Sequence, residues 1–307
     1  MTDPVYHIPA LLEECIAGLN IHPGGTYVDA TFGGGGHSRA IIAALGKHGK
    51  LFSFDQDMDA YANRISDTRF TFVHSNFRYL ANFMRYYEAG AVDGILADLG
   101  VSFHHFDTPE RGFSFRADAP LDMRMNQSSE KDARTVLNTY SDEHLIRILR
   151  TYGDLRRPAP IVKAILNARS KSEINTTGEL LEILAPAINP RQEKKELAQV
   201  FQALRIEVNG EMQALEEFLL ATEKVIRPGG RLVILTYHSL EDRMVKNFMR
   251  TGNVEGNVQK DFFGRNLCPW KPVGKQPVSP TPEEVERNPR SRSARLRIAE
   301  YSPQQED

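Results

Sequence analysis

The sequence has little cysteine and no long apolar stretch, and each absence excludes a class of protein. Its two cysteines, Cys15 and Cys268, are too few for a disulfide framework and lack the spacing of a metal site. No run of about 18 apolar residues occurs, so a membrane-spanning helix is not expected. The first residues hold no basic segment followed by an apolar one, so we expect no secretory signal peptide. These observations predict a cytoplasmic protein without a membrane anchor.

An excess of positive charge is absent as well. The 38 lysines and arginines are balanced by 40 acidic residues, which gives a formal net charge of -2. Any contact with nucleic acid must therefore come from a local basic patch rather than from the whole chain. At 307 residues the chain is long enough for one large domain or two modest ones, each with its own core.

The first third of the chain alternates between strand-like and helix-like segments. Short apolar runs at 27–32, 51–55, 70–76 and 92–100 have the composition of buried parallel strands. Between the first two runs, residues 38–46 carry apolar side chains at helical spacing. Strands that alternate with helices form right-handed βαβ units. This part of the chain therefore predicts an α/β fold with a doubly wound sheet.

The strand pattern then stops. In residues 112–208 the apolar side chains recur at helical spacing, and no segment has the pattern of a strand. Ser141 and Thr177 stand where helix N-caps are expected, just before acidic residues. Mixed basic and acidic side chains in this segment are typical of solvated helix faces. We predict that residues 112–208 form an all-helical domain inserted into the α/β fold.

The α/β pattern returns at residues 216–239, which predict a helix, a Pro-Gly-Gly turn and a strongly apolar fifth strand. Residues 293–299 alternate apolar and charged side chains in the manner of an edge strand. The predicted α/β domain is therefore discontinuous and consists of residues 1–111 and 209–307.

Four consecutive glycines, Gly33 to Gly36, follow the first predicted strand in the segment DATFGGGGHS. In parallel α/β folds a glycine-rich turn at this place binds nucleotide-like ligands, because a backbone without Cβ atoms turns sharply and approaches the ligand closely. The helix that follows offers free N–H groups. Asp55 ends the second predicted strand, where a carboxylate suits the two hydroxyls of a ribose; alternatively, it is a solvated acid at a strand end.

The glycine loop alone does not distinguish dehydrogenases from methyltransferases. A P-loop is excluded, because no Gly-Lys-Ser/Thr follows the glycines. The segment RPGGRLVIL, residues 227–235, favours a methyltransferase, since a Pro-Gly-Gly turn before the fifth strand and a last strand near the C-terminus are typical of the S-adenosylmethionine-dependent sheet. A nicotinamide-dependent oxidoreductase is the second candidate, and it predicts tight binding of a dinucleotide.

Several longer blocks of sequence point to one family. The blocks are HIPALLEE (7–14), DATFGGGGHS (29–38), DGILADLGVS (93–102), ERGFSFR (110–116), PLDMRM (120–125), FQALRIEVNGE (201–211), RPGGRL (227–232), HSLEDR (238–243) and NPRSRSARLR (288–297). Together they resemble the bacterial 16S ribosomal RNA cytosine-N4 methyltransferases, from about residue 5 to about residue 300. PLDMRM and HSLEDR are rare outside that family.

The resemblance implies a Rossmann-like class I methyltransferase sheet with an inserted helical domain and S-adenosyl-L-methionine as cofactor. The implied substrate is a cytidine in the decoding region of 16S ribosomal RNA in the small ribosomal subunit. A homodimer is compatible with the family. The family's cofactor contacts fall on Gly35, Gly36, His37, Asp55, Phe77 and Asp98. A further family position, usually a glutamine, is occupied here by His105 in the segment SFHHFD, where an imidazole still offers hydrogen bonds.

Two residues are candidates for the chemical step, which is attack of a cytosine amino nitrogen on a sulfonium methyl group. Asp98 ends the fourth predicted strand, where it either accepts a hydrogen bond from the amino group or binds only the cofactor. The Asp-Pro-Pro-aromatic type of motif used by other amino methyltransferases is absent there. His238 follows the fifth strand and either accepts the surplus proton or bonds to Glu241 or Asp242 as a structural residue. Tyr237 and Phe103 are candidate stacking partners for an extruded base.

Positive charge for RNA binding is concentrated near the C-terminus. Arginine is well suited to grip phosphate groups. The residues in question are Arg287, Arg290, Arg292, Arg295 and Arg297. We assign recognition of substrate shape to the inserted helical domain. The alternative function is a non-catalytic ribosome assembly protein that keeps the cofactor fold, against which the complete glycine loop and Asp98 argue.

Overall fold

The computed structural model describes residues 9–100 and 108–303. The chain divides into two compact units, one made of residues 1–100 and 213–307 and the other of residues 101–212. The predicted domain boundaries at 112 and 208 lie inside the second unit. Phe103 and His105, two of the candidate residues, lie outside the described residues.

Within the described residues, helices and strands alternate as an α/β protein requires. The strands are β1 Thr26–Asp29, β2 Lys50–Asp55, β3 Phe70–His74, β4 Val92–Asp98, β5 Ile226–Thr236, β6 Trp270–Pro272 and β7 Arg295–Tyr301. The helices are α1 Leu12–Leu19, α2 Gly36–Ala44, α3 Leu80–Tyr86, α4 Ala133–Thr139, α5 Asp142–Thr151, α6 Pro158–Arg169, α7 Thr177–Leu184, α8 Glu193–Asn209, α9 Glu211–Val225, α10 Ser239–Thr251 and α11 Pro282–Arg287.

All described strands form one sheet, in the order β3-β2-β1-β4-β5-β7-β6. Strands β1 to β5 are parallel, whereas β7 runs antiparallel to both β5 and β6. The predicted Rossmann-like sheet of the α/β class is confirmed. The parallel strands place their carboxyl ends at one edge, and in open α/β sheets this edge binds ligands.

Two details of the sheet differ from the sequence prediction. The Pro-Gly-Gly segment is not a turn before β5 but a bulge inside it, because Val92 pairs with Ile226 and Gly94 already pairs with Arg231. Strand β7 is not an edge strand, since β6 covers its outer side. Alternation of apolar and charged residues indicates that one face of a strand is exposed, and it does not reveal whether another strand lies beside it.

The core of the first unit lies between the sheet and helices α1 and α2. Tyr27, Leu51, Leu96 and Leu235 from four neighbouring strands are fully buried against apolar side chains of these helices. Burying each such side chain stabilises the fold by about 1.5–3 kcal/mol. This packing holds the carboxyl ends of the strands in fixed relative positions.

The described part of the second unit contains helices and short 3-10 turns around a separate apolar core, and its one isolated bridge joins Pro120 to Thr176. Ser141 caps α5 as predicted, its side chain accepting a hydrogen bond from the N–H of His144. The cap of α7 is Thr176 rather than the predicted Thr177. Thr176 forms a capping box with Glu179, a pairing that satisfies two donors at once.

No helix in the described part of the chain combines the length and apolarity that a membrane span requires.

Candidate active site

The candidate residues lie where the parallel strands end. Asp29 is the last residue of β1, Asp55 of β2 and Asp98 of β4, and Tyr237 directly follows β5. Since β1 pairs with both β2 and β4, the three carboxylates come from adjacent strands. The glycine loop connects β1 to α2 at this same edge.

Two of the four glycines are required by the fold itself. Gly35 has a φ of 76°, and a Cβ there would lie 2.8 Å from the ring of Phe32. A Cβ on Gly36 would overlap the ring of Pro9. Packing of the loop against its own neighbours therefore explains these two positions.

Gly34 has no such explanation within the protein. Its φ is not in the left-handed region, and a Cβ at this position would meet no atom of the described residues within 4 Å. The same space is open beside Gly33, whose φ of 51° independently favours glycine. On the side where their Cβ atoms would lie, Gly33 and Gly34 thus border space that no described residue fills.

Asp55 holds the glycine loop in place. Its Oδ2 accepts a hydrogen bond of 2.8 Å from the N–H of Gly33, and its Oδ1 accepts one of 2.9 Å from Asp57. A carboxylate is an acceptor-only group, the type that a ribose hydroxyl needs as a partner. The structure therefore places Asp55 against the glycine loop, as the sequence predicted.

His37 lies in the first turn of α2 with its imidazole buried. Nε2 is 3.3 Å from the carbonyl oxygen of Ala10, and Nδ1 is 3.7 Å from Oδ2 of Asp98. The imidazole therefore has a protein neighbour at each ring nitrogen. Because a carbonyl only accepts, Nε2 donates in its contact with Ala10, and Nδ1 is the ring nitrogen that faces Asp98.

Asp98 is held on several sides. Its N–H donates to Oγ1 of Thr31 at 2.7 Å, and its Oδ1 accepts a 2.7 Å hydrogen bond from the hydroxyl of Tyr237. Burial raises the pKa of Asp98 above its ordinary value, and nearby Glu241 adds to the rise, whereas His37 and the Tyr237 hydroxyl oppose it. The side chain keeps 24% of its surface exposed, so it can still meet a substrate.

Asp29 is fully buried and belongs to a small polar network. Its Oδ2 accepts a 2.6 Å hydrogen bond from the hydroxyl of Ser38, whose oxygen lies 2.8 Å from that of Ser53. Oδ1 accepts from the N–H of Thr31 at 3.1 Å. Burial raises the pKa of Asp29 to about 6, although His37 and these hydrogen bonds oppose the rise.

Tyr237 and His238 join β5 to α10. Burial and the neighbouring Asp98 carboxylate raise the pKa of Tyr237 well above its ordinary value of 10. The phenol therefore keeps its proton and donates a hydrogen bond to Asp98. His238 is the N-cap of α10: its Nδ1 accepts from the N–H of Glu241, and its Nε2 lies 3.0 Å from Oε1 of the same residue. The lone pair that would accept a proton is therefore used to cap the helix.

The other candidates are placed as follows. Phe77 follows β3 at the start of a 3-10 turn. Its ring packs edge-on against the ring of Phe218, with 5.2 Å between the two ring centres. Arg297 and Arg295 both bind Asp242, Arg297 through two hydrogen bonds of 2.7 and 3.0 Å. Arg297 therefore has a structural partner in Asp242.

Sequence reasoning missed the Tyr237 hydroxyl as a partner of Asp98, and it missed the network around Asp29. The two members of the first pair are 139 residues apart, and only the pairing of β4 with β5 brings them together. Asp29 did carry a signal, because an acid at the end of an apolar strand beside a glycine loop occupies the ligand edge of the sheet.

A parallel sheet extended by an antiparallel β7, with a glycine loop after β1 and acids at the ends of β2 and β4, defines a Rossmann-like protein of the class I methyltransferase type. The model of the MraW methylase family matches residues 4–302. The chain belongs to the MraW methylase family, which confirms the resemblance found in the sequence.

Curated relatives agree with this assignment. A protein named ribosomal RNA small subunit methyltransferase H from Bacteroides thetaiotaomicron is 58% identical over 295 residues, which cover 96% of this chain and 97% of the relative. Proteins of the same name from Bacteroides fragilis strain YCH46 and from Porphyromonas gingivalis strain ATCC 33277 are 57% and 53% identical, and the alignments cover at least 97% of each chain.

Proposed function

We propose that the protein transfers a methyl group from S-adenosyl-L-methionine to the N4 amino group of a cytidine in the decoding region of 16S ribosomal RNA. Family membership and the printed names of the relatives support methylation of small-subunit ribosomal RNA. The observation that carries the chemistry is the Asp98 carboxylate, fixed between the Tyr237 hydroxyl and His37 at the end of β4. The enzyme would act in the cytoplasm on the small ribosomal subunit.

The residues around the glycine loop fit the proposed cofactor. A Cβ on Gly33 or Gly34 would meet no atom of the described residues, so a ligand can approach the backbone there, and the Asp55 carboxylate beside the loop is an acceptor suited to ribose hydroxyls. The first turn of α2 supplies N–H groups that have no partner within the helix. When bound, the cofactor would supply an electrophilic methyl group on a sulfonium sulfur. We assign its contacts to Gly35, Gly36, His37, Asp55, Phe77 and Asp98, with the assignment of His105 resting on the family pattern alone.

Asp98 has the geometry to prepare the amino nitrogen. That nitrogen is a poor nucleophile because its lone pair is delocalised into the ring, so an acceptor must orient its hydrogens. The Tyr237 hydroxyl occupies one side of Oδ1, and the carboxylate keeps further lone pairs for the amino hydrogens. The reaction would form a nitrogen–methyl bond, break the bond between the methyl carbon and the sulfonium sulfur to leave a neutral thioether, and release one proton from the amino nitrogen, which we assign to Asp98 as acceptor.

The decisive experiment is methyl transfer from labelled S-adenosylmethionine to small ribosomal subunits that lack decoding-region methylation, with the product identified by mass. N4-methylcytidine is expected. Methylation of another nucleoside would contradict the assigned target. Cofactor binding without any transfer would instead favour the non-catalytic assembly protein.

We expect Gly34→Ala to weaken binding of S-adenosylmethionine by about tenfold, since one added methyl group in a tight contact readily costs about 1.4 kcal/mol. Stability should not change, because the Cβ meets no described atom. Isothermal titration calorimetry and thermal unfolding measure the two quantities. Gly24→Ala is the matched control, since a Cβ there also meets no described atom and the residue lies away from the loop. Equal cofactor affinity in both variants would show that no ligand approaches Gly34.

His238 calls for a test that separates capping from catalysis. We expect His238→Ala to lower stability by about 1 kcal/mol through loss of the cap, and His238→Asn to restore it, because asparagine is a good N-cap. If His238 only caps α10, the asparagine variant keeps the single-turnover rate of methyl transfer. A rate loss shared by both variants would favour the first of the two roles that the sequence left open for His238, acceptance of the surplus proton.

We further propose that the second unit recognises the shape of the substrate and that the exposed Arg287, Arg290 and Arg292 contact its phosphates. This proposal leaves out Arg297, which Asp242 already binds.

A further inference from the structure

Two neighbouring phenylalanines are almost fully exposed on a turn that follows α10. Phe262 is 98% exposed and Phe263 is 79% exposed. Single exposed apolar residues are common on proteins, but two adjacent aromatic rings in water are a feature of interaction sites. The exposure of both rings therefore indicates either a binding partner or a structural role in the turn.

The fold holds the turn in a defined shape. Lys260 and Asn266 form a bridge at its base, and the N–H of Asp261 donates to the carbonyl of Arg265 at 2.9 Å. Oδ1 of Asp261 accepts from the N–H groups of Phe263 and Arg265 at 2.9 and 2.8 Å. A structured turn thus presents both rings outward, and its acidic residue is engaged with backbone donors.

The surroundings of the two rings are cationic. The guanidinium of Arg265 lies 5.7 Å from the centre of the Phe263 ring. On α10, Arg243, Lys246 and Arg250 are spaced three and four residues apart, which places them on one face of the helix. Arg243 and Arg250 are exposed, and Lys246 is partly exposed. Asn266 donates to the carbonyl of Arg250, so the turn is tied to the last turn of this helix.

Helix α10 connects the candidate active site to this turn. It begins at Ser239, two residues after Tyr237, whose hydroxyl binds Asp98, and it ends at Thr251. Its 13 residues span about 20 Å. The basic residues of α10 therefore lie along the helix that connects the candidate active site to the turn with the two exposed rings.

We propose that this surface binds single-stranded ribosomal RNA next to the target nucleotide. Phe262 and Phe263 stack on unpaired bases, while Arg243, Lys246, Arg250 and Arg265 bind phosphates. Aromatic rings interleaved with basic side chains are the recognised arrangement for unpaired nucleic acid, because every base offers a face for stacking. The inference rests on the proposed function for its substrate, and it adds a contact surface that lies outside the cofactor site.

The test uses the full chain and the double variant Phe262→Ala/Phe263→Ala. The matched control is Tyr86→Ala, which removes another aromatic ring, 76% exposed, from α3. Fluorescence anisotropy measures binding of a labelled uridine oligomer of about 12 nucleotides, and steady-state kinetics give KM for small ribosomal subunits. We expect the double variant to bind the oligomer at least about tenfold more weakly and to raise KM similarly, since each stacked base contributes substantially to affinity. The control and the thermal stability should not change.

Salt dependence separates the two parts of the surface. Neutralising the helix with Arg243→Gln/Lys246→Gln/Arg250→Gln should flatten the dependence of affinity on salt, by about one unit of slope for each lost phosphate contact. The phenylalanine variant should weaken binding without changing that slope, because stacking releases no counterions.

Three results would overturn the inference. If the wild type methylates small subunits and the double variant has the same KM, the RNA-binding surface is refuted and the proposed function stands. A raised KM with unchanged oligomer binding would assign the rings to a ribosomal protein. Loss of a dimer in sedimentation would assign them to a second copy of the chain. Conversely, ring-dependent RNA binding by a protein that methylates no subunit would support the surface and contradict the proposed function.

Discussion

Asp98→Asn is expected to reduce the single-turnover rate of methyl transfer by about 10²–10⁴-fold, the usual contribution of a positioned acid–base group. The amide keeps the size of the side chain and can still accept the hydrogen bond from Tyr237 through Oδ1. It cannot take the proton released from the amino nitrogen. The rate should be measured at saturating cofactor and saturating small subunits, so that binding does not limit it.

The control for this prediction is cofactor affinity, because the sequence left two roles open for Asp98. If Asp98 only binds the cofactor, Asp98→Asn will lower the affinity and the rate will recover at saturation. If Asp98 acts on the amino group, the rate will stay low at any cofactor concentration. Tyr237→Phe should give a smaller loss, because it removes one hydrogen bond and leaves the carboxylate in place.

The pH dependence of the rate gives a second check. Asp98 must be ionised to accept a proton, so the rate should fall as the pH is lowered through its pKa. Because burial raises that pKa above the ordinary value of 3.8, the fall should begin at a higher pH than for an exposed aspartate. The fall of the rate at low pH should be absent in Asp98→Asn, because the amide does not ionise.

Local sequence pattern predicted the parts of the site that local structure builds. The glycine loop, Asp55 and the ends of the parallel strands follow from short apolar runs and from the conformations that glycine permits. The site also depends on contacts that no local pattern contains. The hydroxyl of Tyr237 meets Asp98 only because β5 lies beside β4, and the ring of His37 meets the carbonyl of Ala10 only because α1 packs near α2.

The errors have physical causes of the same kind. Thr176 and Thr177 are both suitable N-caps by residue type, and the capping box with Glu179 selects the first of them. The edge assignment of β7 failed because β6 is only three residues long and has too little sequence to form a recognisable pattern.

Asp29→Asn is expected to remove a pH dependence of stability of about 3 kcal/mol, which corresponds to a pKa shift of roughly two units at 1.36 kcal/mol each. Burial raises the pKa of Asp29 from 3.8 to about 6. Between these values the folded protein binds more protons than the unfolded chain. The stabilisation is therefore complete below about pH 4 and is lost as the pH rises through about 6. The free energy of unfolding, measured by urea denaturation at about pH 4 and about pH 7, gives the difference for each protein.

The neutral amide should be accommodated in the network. Oδ1 of the asparagine can accept from Thr31, and its Nδ2 can donate to Ser38, whose hydroxyl then donates to Ser53. We therefore expect Asp29→Asn to be at least as stable as the wild type at about pH 7, because it avoids burying a charge. The matched control is Asp67→Asn. Arg69 lowers the pKa of Asp67 to about 2, so any stability from that pair is present above 3.8 and is lost only at lower pH. If the two variants show the same change in unfolding free energy between the two pH values, the ionisation of Asp29 does not control stability in this range.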